Sequence, residues 1–527
     1  MKRIFTFFAL VGGTLAQGTF SIPFDWGGQN GIVITEGTLF WNRSWTSGML
    51  LFDGTYSSYP RRYGVHTSNR FEPLKAGFLP GFSDLPDSSD VETYFDYKKG
   101  DYLYDQMEIG ADFEQVDRHL RIRGFKRNHG GNTGHYLYPS GGSTPIHHSY
   151  RVDYASQKGE RKMEISTGRF ITRSGLPDST SNGMENENII AAGLRFQRPV
   201  RKWTVDTYLG QFFQHHLIHH SSLTDSNYMD INRGILTIQL ESPSGIKYGI
   251  SQESQQVSNL THNRSLNWTK VYGTRSFGNL TILGGVQILN SDDAFPFVWQ
   301  LDYRKNFKKS YLQFTSSGSP NPKHPDLDDP TDNSSFEFWG RNMVEGGFTN
   351  GSLKGNTFLS VVQNGGEHIV FLGGRVQFGF GEGWSIYNLV FTQIDSSIYG
   401  GGLGTATTFG LRGKLNLFKD NMKIDAHLWG NGIAGLIKSF GFDPIRQIPF
   451  RHGNSAWSLP NQWLLHFEAV ANISGVLVSY KVNNVLNAVT SIGGVSPNDD
   501  LIWIRPNHVY PQLGRMMQFG ITWYFKD

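Results

Sequence analysis

The sequence contains no cysteine. Disulfides and thiol chemistry are therefore excluded, and a chain of 527 residues must be held together by other means, such as a continuous hydrogen-bonded sheet. Charge is scarce as well. Charged residues make up 18% of the chain, against about 25% in ordinary globular proteins. The net charge is only +3, which offers no electrostatic footprint for nucleic acid or an acidic substrate. Long hydrophobic runs are also missing. A membrane-crossing helix needs about 20 apolar residues; no stretch reaches that length, and mean hydropathy is −0.37. No catalytic constellation emerges. Ser, His and Asp are scattered, and the glycine-rich GGGLGTATTFG lacks the following helix that a phosphate cradle needs. Neither an enzyme nor a cofactor is expected.

What the chain has is glycine, 62 residues of it, and aromatics at 14%. Together they suit a large, turn-rich, all-β protein. Residues 1–16 read as a signal peptide: Lys2 and Arg3 precede a short apolar core, Ile4 to Val11, and Thr14-Leu15-Ala16 offers small residues for cleavage. Residues 17–88 form a separate N-terminal segment, with candidate strands in GIVITEGTLFW and GMLLFDGTY.

From residue 89 to 527 one theme repeats. Segments of roughly 9–13 residues alternate apolar and polar side chains, then break at turn residues. Phe409, Leu411, Leu415 and Leu417 alternate with Gly410, Arg412, Lys414 and Asn416. Leu236, Ile238 and Leu240 alternate with Thr237, Gln239 and Glu241. About 22 such segments can be counted by this period-two pattern. Their connections alternate between short breaks (QKGE, RPVRK, SPSG, FGN, FKKS, GEG, FKDN, ISG) and long polar ones such as RSGLPDSTSNGMENEN. Aromatics, among them Phe196, Trp203, Phe277, Phe307, Phe380, Trp384 and Phe418, sit beside the short breaks. Short turns on one rim, long loops on the other and an aromatic girdle are the signature of a transmembrane antiparallel up-and-down β-barrel. A β chain in lipid must close on itself to satisfy its backbone. The expectation is a monomeric outer-membrane barrel of about 22 strands.

The C-terminal stretches SYKVNNVLN and YPQLGRMMQFGITWYF resemble the end of TonB-dependent receptor barrels, where Asn484 to Asn487 and Tyr510 to Arg515 stand in the family's closing motifs. The resemblance covers the barrel part only. Those receptors carry a plug longer than residues 17–88, and no energy-coupling box is evident here. It implies transport of a solute across the outer membrane, with outer-membrane lipid, the barrel-insertion machinery and a TonB-type energy coupler as partners. It also implies that Phe519, Trp523 and Phe525 of the last strand act as the insertion signal. Two alternatives remain open: a diffusion porin constricted by its loops, and a non-transporting adhesin or scaffold barrel.

Alternation assigns Arg121, Arg123, Arg375, Arg412, Lys414, Glu108 and Glu241 to the lumen lining. Histidines cluster. His129, His135, His147 and His148 are expected in one outer loop, and His215, His216, His219 and His220 of QHHLIHH near another, where i/i+4 spacing on a helix suits a metal ion. Asp326, Asp328, Asp329 and Asp332 form an acidic loop tip, a weaker candidate for a calcium ion.

Overall fold

Period-two segments should fold as strands that present one face to lipid and one to the lumen. A computed structural model bears this out. It describes residues 21–23, 32–35, 38–41, 89–130, 137, 146–175, 183–220, 227–260, 263–289, 297–322, 336–364, 367–393, 405–418, 421–434, 440–443, 448–451, 462–486 and 515–526. In the N-terminal segment β1 (Ser21–Pro23), β2 (Ile32–Thr35) and β3 (Thr38–Trp41) form a small antiparallel sheet. GIVITEGTLFW thus supplies β2 and β3, while GMLLFDGTY lies outside the described residues.

The barrel strands are β4 (Asp90–Gly100), β5 (Asp105–Gln115), β6 (Arg118–Asn128), β7 (Ile146–Lys158), β8 (Arg161–Gly175), β9 (Gly183–Val200), β10 (Trp203–His220), β11 (Asn227–Glu241), β12 (Lys247–Asn259), β13 (Asn263–Phe277) and β14 (Leu280–Leu289). They continue as β15 (Phe297–Asn306), β16 (Ser310–Pro322), β17 (Phe336–Asn350), β18 (Leu353–Asn364), β19 (Glu367–Phe380), β20 (Trp384–Gln393), β21 (Thr405–Leu417) and β22 (Met422–Ala434). After a two-stranded outer hairpin, β23 (Phe440–Asp443) and β24 (Ile448–Arg451), come β25 (Gln462–Ile473), β26 (Val476–Asn483) and β27 (Met516–Lys526). Each barrel strand pairs antiparallel with its neighbours, and β27 pairs with β4 to close a 22-stranded barrel. Among the described residues no helix is long and apolar enough to cross a membrane, which says nothing of a β-barrel.

All eight short breaks named above fall on one rim. Tight hairpins there need left-handed backbone, and glycine supplies it without steric cost: φ is 57° at Gly278 and 91° at Gly475. The other rim carries the long loops, but its connections at residues 101–104, 260–262 and 365–366 are short too. Loop length alone therefore marks the rim only on average. Phe196, Trp203, Phe277, Phe307, Phe380 and Phe418 are exposed beside the tight turns, as an interfacial girdle requires.

The seam is clasped at its outer end. Asp101 donates its backbone N–H to the Met517 carbonyl and accepts from Met517 N–H through Oδ2, both at 2.9 Å. The Tyr102 hydroxyl donates to the Arg515 carbonyl at 2.6 Å, and Gly130 N–H to the Tyr102 carbonyl at 2.8 Å. His129 is buried here, edge-on to Tyr102 and Tyr104. Burial, aided by the Arg127 charge, pushes its pKa down to about 3. An unfolded chain takes up that proton near pH 6.5, whereas the folded rim refuses it until about pH 3. Stability from this group is thus complete above pH 6.5 and falls as pH drops, by on the order of 2 kcal/mol at pH 5. Urea unfolding at pH 7.5 and pH 5 should show that loss in the native chain and not in His129→Phe.

Candidate functional site: the lumen wall

Register fixes which residues face inward. Outward positions carry the exposed apolar side chains, such as Ile109, Phe113, Leu236, Ile238, Phe409 and Ile521. Their neighbours in sequence line the lumen, and they differ between arcs of the wall.

Around the seam the wall is a mesh of opposite charges. Asp112 takes Arg123 Nη1 at 2.6 Å and Arg121 Nε at 3.2 Å. Arg151 pairs with Asp153 at 2.7 Å and Lys98 with Asp96 at 2.8 Å. Glu108 accepts from the Tyr94 hydroxyl, and Arg123 lies 4.9 Å above the Tyr94 ring. Glu241 stands by a tight turn, 3.6 Å from Lys247.

From β9 to β13 the wall is polar yet closed to solvent. Gln214, Thr237, Ser251 and Glu253 are 0% exposed. Glu253 holds Arg233 at 2.5 Å and Lys270 at 3.3 Å, and both cations are buried with it. Arg195 and Asp206 form a second buried pair at 2.5 Å. Long charged side chains on the wall of a water-filled pore would be wet. Here they are not.

A third arc, from β19 to β26, is aromatic and basic. One row of paired positions runs Tyr387, Gly410, Trp429, His466 across β20, β21, β22 and β25. A Cβ on Gly410 would lie 2.3 Å from the Tyr387 ring. The missing side chain lets that ring lie across β21, where its hydroxyl reaches His427 Nε2 at 2.9 Å. His427 stacks on Trp429 at 4.4 Å and Trp429 on His466 at 5.1 Å, each tilted by 17°. Lys481 sits 5.7 Å from the Trp429 ring and Arg375 5.9 Å from the Tyr387 ring. Arg412 and Lys414 stand opposite His427 and Asp425. On this arc Arg375, Arg412, Lys414, Lys423 and Lys481 outnumber Asp425 and Glu468. Arg412, Lys414 and Lys423 are exposed to solvent. The arc joins half-buried Tyr387, His427 and Trp429 and buried His466 to exposed cations.

Period-two reasoning named Arg375, Arg412 and Lys414 of this arc but missed Lys423, Lys481 and the aromatics. The signal was present: His427 and Trp429 occupy alternate positions of MKIDAHLWGNG, the series that also holds Asp425.

QHHLIHH lies on β10, not in a loop, and His147 and His148 lie on β7. A strand sends alternate side chains to opposite faces. His215 therefore points outward, 2.5 Å from Asp230, while His216 is buried inside, 3.5 Å from Glu187. His219 shares the parity of His215. His215 and His216 therefore leave β10 on opposite faces, and the helix that i/i+4 spacing presupposes is absent. Among the described residues no group of three His, Asp or Glu side chains is placed to hold a metal. The acidic tip at 326–332 lies outside the described residues. Phe519, Trp523 and Phe525 project outward from β27.

No family model matches the chain, and no curated protein matches it. Solved structures do. The copper transporter OprC superposes with a TM-score of 0.63 at 10% identity, over 96% of this chain and 94% of that one. BauA, the ferric preacinetobactin receptor from Acinetobacter baumannii, gives 0.63 at 9% identity, over 98% and 92%. The FrpB iron transporter from Neisseria meningitidis gives 0.61 at 11% identity, over 84% and 83%. The barrel has the TonB-dependent receptor fold. At such identities the likeness is one of fold: the receptor-like barrel is shared, and no side chain of its lumen is carried over.

Proposed function

We propose that this protein resides in the outer membrane of a Gram-negative-type bacterium and carries a solute through its lumen, with residues 17–88 filling part of that lumen. The observation that carries the reading is the dry polar wall of β9–β13, where Glu253, Arg233 and Lys270 are buried on the inner face of a 22-stranded barrel. Barrels of that width among outer-membrane transporters hold a plugged lumen. The matches to OprC and BauA support it as well. They cover 96% and 98% of the chain, whereas residues 90–526 are only 437 of its 527. A simple diffusion porin expects a wet wall all round.

The open arc supplies the solute chemistry. A stacked imidazole–indole surface with surplus cations favours a planar, ring-bearing anion over a neutral or cationic one. Calorimetry on the barrel in lipid nanodiscs tests this with 2-naphthoate and its neutral amide. Naphthoate should bind, the amide should bind about tenfold more weakly, and Trp429→Ala should cost naphthoate about tenfold, the worth of one stacking contact. Equal affinity for acid and amide would remove the arc from the path. Uptake that collapses with the inner-membrane proton gradient would identify a TonB-type coupler as partner.

A further inference from the structure

The outer face of β11–β13 breaks the pattern kept by its neighbour. β14 turns Leu280, Ile282, Val286 and Ile288 outward. β12 turns out Tyr248 and Ile250, then Gln252, Ser254, Gln256 and Ser258. β13 adds Thr269, Asn267 and Ser265. These are not residues above the membrane. Tyr248 belongs to the girdle at the tight-turn rim, with its ring 6.3 Å from that of Trp203. A tilted strand climbs about 2.5 Å per residue, so Gln252 and Ser254 stand about 10 and 15 Å above the girdle, inside an apolar band about 25 Å tall. The paired row through Gln252 and Thr269 runs from Leu236 on one side to Ile288 on the other, both exposed and apolar. Up to Gln256 the polar groups are therefore set within the hydrocarbon belt, and Ser258, about 25 Å above the girdle, stands at its edge.

They are only partly satisfied. Thr269 donates to Gln252, and Gln211 to Asn232 on the flank of the patch. Ser254 and Asn267 face each other in the register, and neither side chain has a hydrogen-bond partner among the described residues. Elsewhere on the outer face Ser316 pairs with Asn342 and Asn388 with Thr407. An amide or hydroxyl facing hydrocarbon without a partner costs free energy that a matching polar surface recovers.

We propose that this strip is an interface within the membrane plane, and that its occupant is a second copy of this chain. The argument is one of charge. Below the row in which Asp230 of β11 faces Ser258, the patch carries no formal charge, which disfavours an anionic lipid headgroup or a charged partner. Amides and hydroxyls both donate and accept, so a surface of Gln, Asn, Ser and Thr complements itself across a twofold axis. This departs from the single-copy barrel expected of the sequence.

The cysteine-free chain makes the test clean. Ser254→Cys, with Ala426→Cys on the outer face of β22 as control, is treated in native outer membranes with a short bismaleimide. The expected product is a dimer-sized band of this chain from Ser254→Cys and at least tenfold less from Ala426→Cys. The variant Gln252→Leu, Ser254→Leu, Asn267→Leu should keep heat-modifiable gel migration, and hence its barrel, while its solubilised form changes from dimer to monomer. Equal cross-linking at both positions, no cross-link at Ser254→Cys, a cross-link to a different protein, or a dimer that survives the three leucines would each overturn the proposal.

Discussion

Removing residues 17–88 while keeping residues 1–16 should turn an electrically silent protein into a conducting one. In planar bilayers the intact chain is expected to show no resolvable steps. The shortened chain should show stable openings at least as large as those of porins with about 16–18 strands. The reason lies in the wall. Gln214, Thr237, Ser251 and Glu253 are fully shielded on the lumen side, although strands alone shield only the edges of such side chains. The barrel does not need the segment to close. β27 meets β4 over nine paired positions, Gln518 with Gly100 through to Lys526 with Glu92, and Thr522 Oγ1 donates to Asp96 across the seam at 2.5 Å. A shortened chain that folds, migrates heat-modifiably and remains silent would place the obstruction in the long loops.

The largest single-residue effect is expected at Glu253. Its carboxylate lies between Arg233 and Lys270 with no exposure to solvent. Glu253→Gln leaves two buried cations facing each other, and breaking a buried pair in this way costs about 3–5 kcal/mol. The urea-unfolding free energy should fall by that amount. Replacing all three at once, Glu253→Leu with Arg233→Met and Lys270→Met, should recover most of it, because the cost belongs to the unpaired charge and not to lost packing. A drop below about 1 kcal/mol, the worth of an exposed pair, would mean that this wall is wet.

The barrel was legible in the sequence because its two determinants are local. Period-two alternation marks each strand, as in Phe409 to Leu417, and tight breaks such as FGN and ISG mark one rim. The closing strand could be paired with the first because no other edges remain once the rest is paired in order. Side-chain partnerships were less legible. Arg195 finds Asp206 from the adjacent strand, and Arg233 finds Glu253 twenty residues on, through register that no short window contains. QHHLIHH misled because polarity alone suggested a loop. It contains no Gly, Pro, Asn or Asp to break the strand, and β10 runs straight through it for 18 residues. The aromatic arc needed three strands to bring Tyr387, His427, Trp429 and His466 together, with Gly410 leaving room between them.

The most direct measurement of the central claim is thiol labelling of the barrel in lipid nanodiscs, where both rims meet the reagent. Ser251→Cys sits on the dry arc and Lys414→Cys on the open one, and with no native cysteine each reports alone. A membrane-impermeant maleimide should label Lys414→Cys in the intact chain and leave Ser251→Cys untouched, then label both once residues 17–88 are deleted. Labelling of Ser251→Cys in the intact chain at the rate of Lys414→Cys would contradict the account.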